Sequence, residues 1–133
     1  VKFFEGTDPI YVQIADWLEN EILSEQVKAG EKIYSQYKLA EIFGINPATA
    51  LKGLNRLVEK NLVYKKRGLG MFVEDNALEI LKKERRDHGM RNQIKELVEE
   101  AKRLDVSKDI LMEMIEKEIE KEPEKAGDSN DSM

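Results

Sequence analysis

The sequence predicts a mostly α, α+β fold, with three amino-terminal helices and a β-hairpin followed by a carboxy-terminal helical appendage. Three observations predict it. Apolar residues recur at helical spacing in three consecutive segments, each opened by a capping residue or a proline. Two short β-prone segments then flank a turn with two glycines, Arg67-Gly68-Leu69-Gly70. Beyond Asn76 the composition turns helical and heavily charged, with its apolar residues thinned to a stripe.

The first helix is expected to open at Thr7-Asp8-Pro9, a capping side chain followed by proline at the first helical position, where its missing N–H breaks no helical bond. Ile10, Ile14, Leu18 and Ile22 recur every four residues, with Trp17 beside them as a core or dimer residue, and carry one stripe to about Gln26. Lys28-Ala29-Gly30-Glu31 interrupts the pattern, and Lys32-Ile33 fits a very short strand. Ser35 caps a second helix with Leu39, Ala40, Ile42 and Phe43 as its apolar positions, and Gly44 ends it. Asn46-Pro47 repeats the cap-plus-proline arrangement and opens a third helix. There Ala50, Gly53, Leu54, Leu57 and Val58 follow the spacing of a buried face until Lys60-Asn61 closes it. The hairpin strands are expected at residues 62–66 and 71–74.

Leu78 and Leu81 start the appendage stripe, which is interrupted near Arg85, Arg86 and His88. It resumes with Ile94, Leu97, Val98, Ala101 and Leu104. Gly89 either kinks this long element or splits it. Val106-Ser107 reads as another cap, and Leu111, Met114, Ile115 and Ile119 form the stripe of a last helix. The expected division is 1–75 for the helices and hairpin, 76–122 for the appendage, and 123–133 for a disordered acidic tail.

The absence of cysteine excludes disulfide frameworks, thiolate metal sites and thiol nucleophiles. No apolar run approaches the roughly 18 residues that span a bilayer, and no signal segment opens the chain, so a cytoplasmic setting without a membrane partner is expected. His88 is the lone histidine and has no cysteine to join it, which favours a solvated or interhelical role over metal binding. No cofactor and no catalysis are expected: a nucleophile–base pair is missing, and the glycines of the hairpin lack the following helix of a nucleotide loop.

The net charge is −5, but its distribution matters more than its sum. Residues 35–73 hold seven basic side chains against two acidic ones, whereas residues 113–133 hold eight acids and three bases. A basic patch on an acidic whole fits a polyanionic partner. Two short helices separated by Gly44-Ile45-Asn46, then a hairpin, are the parts of a winged helix-turn-helix. Its recognition helix must show a polar, small-residue face to the major groove of duplex DNA. The outward face of the third helix carries Ala48, Leu51, Lys52, Asn55 and Arg56, with Thr49 at its start. Ala48 and Leu51 could touch thymine methyls, Lys52 and Arg56 could reach phosphates or guanine edges, and the helix start suits a phosphate. Lys65, Lys66 and Arg67 supply charge to a wing that Gly68 and Gly70 allow close to the duplex. The rival reading is a winged helix used for protein–protein assembly, with the charged helices as its docking surface.

PIYVQIADWLENEIL and EKIYSQYKLAEIFGINPATALKGLNRLVEKNLVYKKRGLGMFVED together resemble the amino-terminal domain of the GntR family of bacterial regulators. The more specific parts are the proline-initiated first helix, Leu39-Ala40, Gly44-Ile45-Asn46 and the RGLGMFV wing. Where the family usually has proline before Ser35 and a DNA-contacting arginine two residues after it, this chain has Tyr34 and Tyr37. Tyr34 and Tyr37 are expected to pack on the first helix rather than read bases, the two readings standing about even for Tyr37, whose hydroxyl could also reach a phosphate. Asn46-Pro47-Ala48-Thr49 is similar to the YtrA-like branch, and the 58 residues after Asp75 suit that branch's two-helix dimerisation appendage. The resemblance favours base or phosphate contacts from Asn46, Ala48, Thr49 and Lys52, with Arg67 and Gly68 at the wing tip. The full expected DNA-binding set adds Ser35, Gln36, Tyr37, Pro47 and Arg56 of the helices and Lys66, Leu69 and Gly70 of the wing. The resemblance also implies dimerisation through Leu78, Leu81, Ile94, Leu97, Val98, Leu104, Leu111, Met114, Ile115 and Ile119. A homodimeric repressor of a pseudo-palindromic operator, often of transporter genes, is what such members are. Met71, Met90, Met112 and Met114 read as packing residues, although appendage methionines could line a cleft for a small-molecule effector.

Overall fold

In the computed structural model, which describes residues 6–121, helix α1 spans Ile10–Leu23. The tail expected at 123–133 lies outside the described residues. Pro9, in extended geometry, is the N-cap, and no side chain caps the helix, so Thr7 and Asp8 do not play that part. The Pro9 carbonyl instead accepts the N–H groups of Val12 and Gln13. Ile14, Ala15, Leu18 and Ile22 are buried, while Ile10 stays exposed at the helix start. Glu19 is buried within the same face.

Helix α2, Gln36–Phe43, opens where the Ser35 hydroxyl accepts the Lys38 N–H at 3.0 Å, and ends at Gly44 in the left-handed region, φ 66°. Helix α3, Pro47–Glu59, opens where Asn46 Oδ1 accepts the Ala48 N–H at 2.7 Å. Ala50, Gly53, Leu54 and Leu57 are buried as their spacing predicts, and Val58 is half-buried. Gly53 sets how closely α1 and α3 pack. A Cβ there would lie 2.9 Å from Ile14 Cγ2 and 3.1 Å from the Tyr11 carbonyl oxygen. The Trp17 ring meets Phe43 edge-on at 5.0 Å, so Trp17 takes the core role and ties α1 to α2.

Strands β1, Val63–Lys66, and β2, Gly70–Val73, pair antiparallel, with Tyr64 opposite Phe72 and Lys66 opposite Gly70. The short strand expected at Lys32-Ile33 is a single bridge to Phe72 on the far edge of β2. The Ile33 N–H donates to the Met71 carbonyl at 2.9 Å, and the Val73 N–H to the Glu31 carbonyl at 2.9 Å. This crossing explains Gly70: its φ is +117°, and a Cβ would lie 2.7 Å from Lys32 Cε.

Helix α4, Ala77–Glu84, buries Ala77 and Leu81 in the core that α1 to α3 and the hairpin share. Leu81 is therefore a core residue and not part of a dimer stripe. Two apolar residues one turn apart suffice to seat a short helix on α1, and full burial at such a position is worth roughly 1.5–3 kcal/mol. Leu78 is half-buried beside Ile22, Val27 and Val73. The described residues accordingly divide into two units between His88 and Gly89, not after Asp75.

Gly89 lies in a wider, π-helical turn, Arg85–Met90. In the second unit, helix α5 spans Arg91–Arg103 and helix α6 spans Lys108–Glu120, the latter capped by the Ser107 hydroxyl on the Ile110 N–H. Ala101 is buried there, Val98, Leu111 and Ile115 are half-buried, and Ile94, Leu97, Leu104, Met114 and Ile119 are exposed.

Candidate nucleic-acid interface

The start of α2, the outer side of α3 and the outer edge of β2 meet at one groove of about 140 Å³. Tyr34 and Ser35 line it just before α2, Gln36 and Tyr37 from α2, Leu51 from α3, Gly70 and Met71 from β2, and Lys32 from the segment bridged to β2. Gln36 Nε2 donates to the Pro47 carbonyl at 3.3 Å, which locks the starts of the two helices together. Tyr37 is 70 % exposed and its ring projects into solvent. Ser35 and Asn46 each spend a side-chain oxygen on a helix cap, which leaves the Asn46 amide N–H groups for an outside partner. Ala48 is exposed at the start of α3, and Pro47 and Thr49 are half-buried.

Lys65, Lys66, Arg67, Gly68, Leu69 and Gly70 are all exposed on the hairpin. Gly68, at φ +78°, takes the turn position that side chains disfavour, and the Leu69 N–H closes the turn on the Lys66 carbonyl at 2.9 Å. Tyr64 and Phe72 stack across the strands at 6.1 Å, and Lys66 Nζ rests 4.6 Å from the Phe72 ring centroid. The aromatic pair thus holds one cation along the hairpin while Arg67 stands at the tip.

Along α3, Lys52 is exposed, with its Nζ 4.5 Å from the Tyr11 ring centroid. Arg56 is half-buried, and its Nε is buried without a hydrogen-bond partner. Helical position alone makes Arg56 a free groove-reading residue; the structure instead lays it in a cleft beside α1 with Tyr11, Lys52, Asn55 and Glu59. Tyr11 and Lys32 are members of the surface that spacing did not single out. Lys32 had a visible signal, a cation in a two-residue strand next to Gly30; Tyr11 had none beyond an aromatic at the helix start.

Tyr34 packs as expected. Its ring lies 5.3 Å from that of Trp17, and its hydroxyl donates to Glu21 Oε1 at 2.8 Å. That hydrogen bond, then burial and the Glu21 charge, hold the phenol above its ordinary value, so it stays neutral. Behind the interface, Lys60 at the end of α3 reaches Glu19 at 2.8 Å and Glu84 at 3.4 Å, and Arg85 reaches Glu19 at 3.3 Å. Burial pulls the Lys60 ammonium down, but the Glu19 hydrogen bond and the charges of Glu19 and Glu84 outweigh it and leave the group above its ordinary value.

Chemically this surface presents fixed cations around a small-residue helix face, which suits phosphate neutralisation flanking base contact. The profile of bacterial regulatory proteins of the gntR family matches residues 10–73. The HTH-type transcriptional repressor YtrA of Bacillus subtilis (strain 168) is 32% identical over 126 residues, covering 95% of this chain and 95% of that protein. YhcF, an uncharacterized HTH-type transcriptional regulator of the same organism, is 29% identical over 112 residues, covering 84% of this chain and 91% of its own. Among solved structures, a GntR family transcriptional regulator from Listeria monocytogenes superposes with a TM-score of 0.70 at 25% identity, covering 86% of this chain and 98% of that one.

Proposed function

The chain belongs to the gntR family of bacterial regulatory proteins, as a YtrA-like transcriptional regulator, and from that premise we propose that it is a homodimeric repressor of a pseudo-palindromic operator. The observation that carries the reading is the convergence of the α2 start, α3 and the hairpin on one groove, lined by exposed Tyr37 and Lys32. In this reading α3 lies in the major groove. Ala48, Thr49 and the Asn46 amide face base edges or the nearest phosphate, and Tyr37, Lys52 and Arg67 hold the backbone. Ser35, by the hydroxyl proton that its cap leaves free, and Gln36, by the amide hydrogen not spent on Pro47, add donors toward the backbone, while Pro47 shapes the start of α3.

The homodimer is supported by the second unit. Ile94, Leu97, Leu104, Met114 and Ile119 are exposed on a helical element with little core of its own, and Val98, Leu111 and Ile115 lie half-buried among them. A second copy is the partner that such stripes fit. Transporter genes are the expected targets by the resemblance to the YtrA-like branch. The test is selection of bound duplexes from a random pool by the full chain. The expected product has two inverted half-sites about one helical turn or slightly more apart. Enrichment of a single half-site would overturn the dimeric mode, and no enrichment at all would overturn the DNA reading in favour of a protein-assembly role.

A further inference from the structure

The recognition face of α3 has two flanks, and only one is occupied by the α2 start and the hairpin. An α-helix with its side chains is about 10–12 Å across, and the major groove is about 12 Å wide, so both walls of the groove must lie against the helix that enters it. Leu51 marks the flank toward the hairpin. On the other flank, α1 and α3 enclose the cleft of Tyr11, Lys52, Asn55, Arg56 and Glu59.

The cleft is built for an anion on three counts. It holds two cations that form no ion pair among the described residues, with a phenol and a carboxamide beside them and one carboxylate, Glu59, in the same lining; Asp16 of α1 feels the Arg56 charge without closing a salt bridge to it. The Arg56 Nε is buried there with its donor unmatched. The Lys52 ammonium is parked over the Tyr11 ring, a contact that restrains a long side chain without neutralising it. Gly53 keeps the walls close at this level, since any side chain there would press on the Tyr11 carbonyl and on Ile14.

We propose that this cleft seats a phosphate of the DNA backbone on the wall opposite the hairpin, with Lys52 and Arg56 as the phosphate contacts and Tyr11 as the residue that positions Lys52. The proposal rests on the DNA reading above. It gives α1 a part in binding, and it makes an aromatic ring outside the helix-turn-helix a determinant of affinity.

The probe is the duplex recovered by selection, bound by the full chain over a range of salt. Lys52→Met is expected to lower the slope of log affinity against log salt by about one, the signature of one lost phosphate contact. Tyr11→Leu is expected to weaken binding about fivefold, and Tyr11→Phe, which keeps the ring, to restore most of it. In a Lys52→Met background Tyr11→Leu is expected to cost little more, because the ring then has no cation to place. A Tyr11→Leu loss that is the same with and without Lys52 would make the ring merely structural and overturn the proposal. So would slopes unchanged by Lys52→Met while Arg67→Ala still lowers them. That result leaves the DNA reading standing, whereas wild-type chain that binds no duplex defeats both. Inorganic phosphate separates the sources: amide shifts at Tyr11 and Asn55 on phosphate addition, with DNA slopes untouched by the variants, would assign the cleft to a free anion instead.

Discussion

The Lys60 ammonium lies 2.8 Å from the Glu19 carboxylate, and so pins the end of α3 to the buried face of α1. Glu19 is only 2 % exposed, and its other oxygen is met by Arg85. Taking away Lys60 leaves that carboxylate with half its cover, in a place where water cannot replace what is lost. Lys60→Met should therefore cost about 1–3 kcal/mol, read as a lower urea midpoint at neutral pH. The double variant Glu19→Leu, Lys60→Met should lose less than Lys60→Met alone, since an apolar pair has no stranded charge. Equal midpoints for Lys60→Met and the parent would show that the pair is idle. The same ion pair sets an alkaline limb. Lys60 titrates above its ordinary 10.5 when folded, so its contribution is complete below 10.5 and is lost as the pH rises through the higher folded value. Lys60→Met should flatten that limb.

Asp16 behaves oppositely. Burial first, and the Glu19 charge second, raise its carboxyl above the ordinary 3.8, outweighing the pull of Arg85, Lys60 and Arg56. The folded protein thus holds this proton more tightly than the unfolded chain. Stability falls as the pH rises through the raised value, and the penalty is complete at neutral pH. Asp16→Asn should raise stability at pH 7, by under about 1 kcal/mol, because the carboxyl is only partly desolvated and the residue keeps enough exposure for solvent to screen it. The gain should disappear below the ordinary aspartate range. Urea melts at pH 7 and below 3.8 check both halves, and a variant less stable than the parent at pH 7 contradicts the assignment.

The two pairings just described also mark what was hidden in the sequence. The inward face of α3 was legible because Ala50, Gly53, Leu54 and Leu57 repeat at one local spacing, and the caps at Ser35, Asn46 and Ser107 because they act within three residues. Glu19 was not, since a periodic pattern assigns any charge to solvent, and its partners lie 41 and 66 residues away. Tyr11 and Lys52 meet across the same kind of distance. Leu81 misled for the opposite reason: it does sit on an apolar stripe, but a stripe does not say whether α1 of its own chain or a second copy will cover it. At the interface, the wing cations and Ala48 stand where their positions predict, while Arg56 is turned aside toward α1 by packing that no local pattern encodes.

Arg67 stands at the hairpin tip, exposed, and makes no ion pair among the described residues. Arg67→Ala should leave the melting curve unchanged while weakening binding of the selected duplex about tenfold and lowering the salt slope by about one. Gly70→Ala should differ in kind. The added Cβ collides with Lys32 and the backbone sits at φ +117°, so the hairpin edge should loosen and stability fall along with affinity. Thermal melts beside binding isotherms separate the two effects, and a stable Gly70→Ala protein with normal affinity would show that Lys32 yields freely.

The unit boundary sharpens where the chain can be cut. Ending it after Asp75 removes Ala77 and Leu81, both fully buried in the core around α1, and opens a cavity that the remaining chain cannot close. Losing two such residues should cost several kcal/mol, enough to unfold a domain whose total stability is of the order of 5–15 kcal/mol. Ending it after His88 keeps that core, together with Glu84 and Arg85 of the ion-pair network. The longer fragment should therefore fold, and, lacking the exposed stripes of α5 and α6, it should sediment as a monomer. Without a linked second copy it should bind a single half-site, and hold the full operator far more weakly than the intact chain does, because the second half-site then has to be engaged by an independent molecule. Sedimentation of the two fragments beside the full chain decides the matter. A dimeric fragment ending at His88 would move the dimer contact into the first unit, and a folded fragment ending at Asp75 would show that α4 is dispensable to the core.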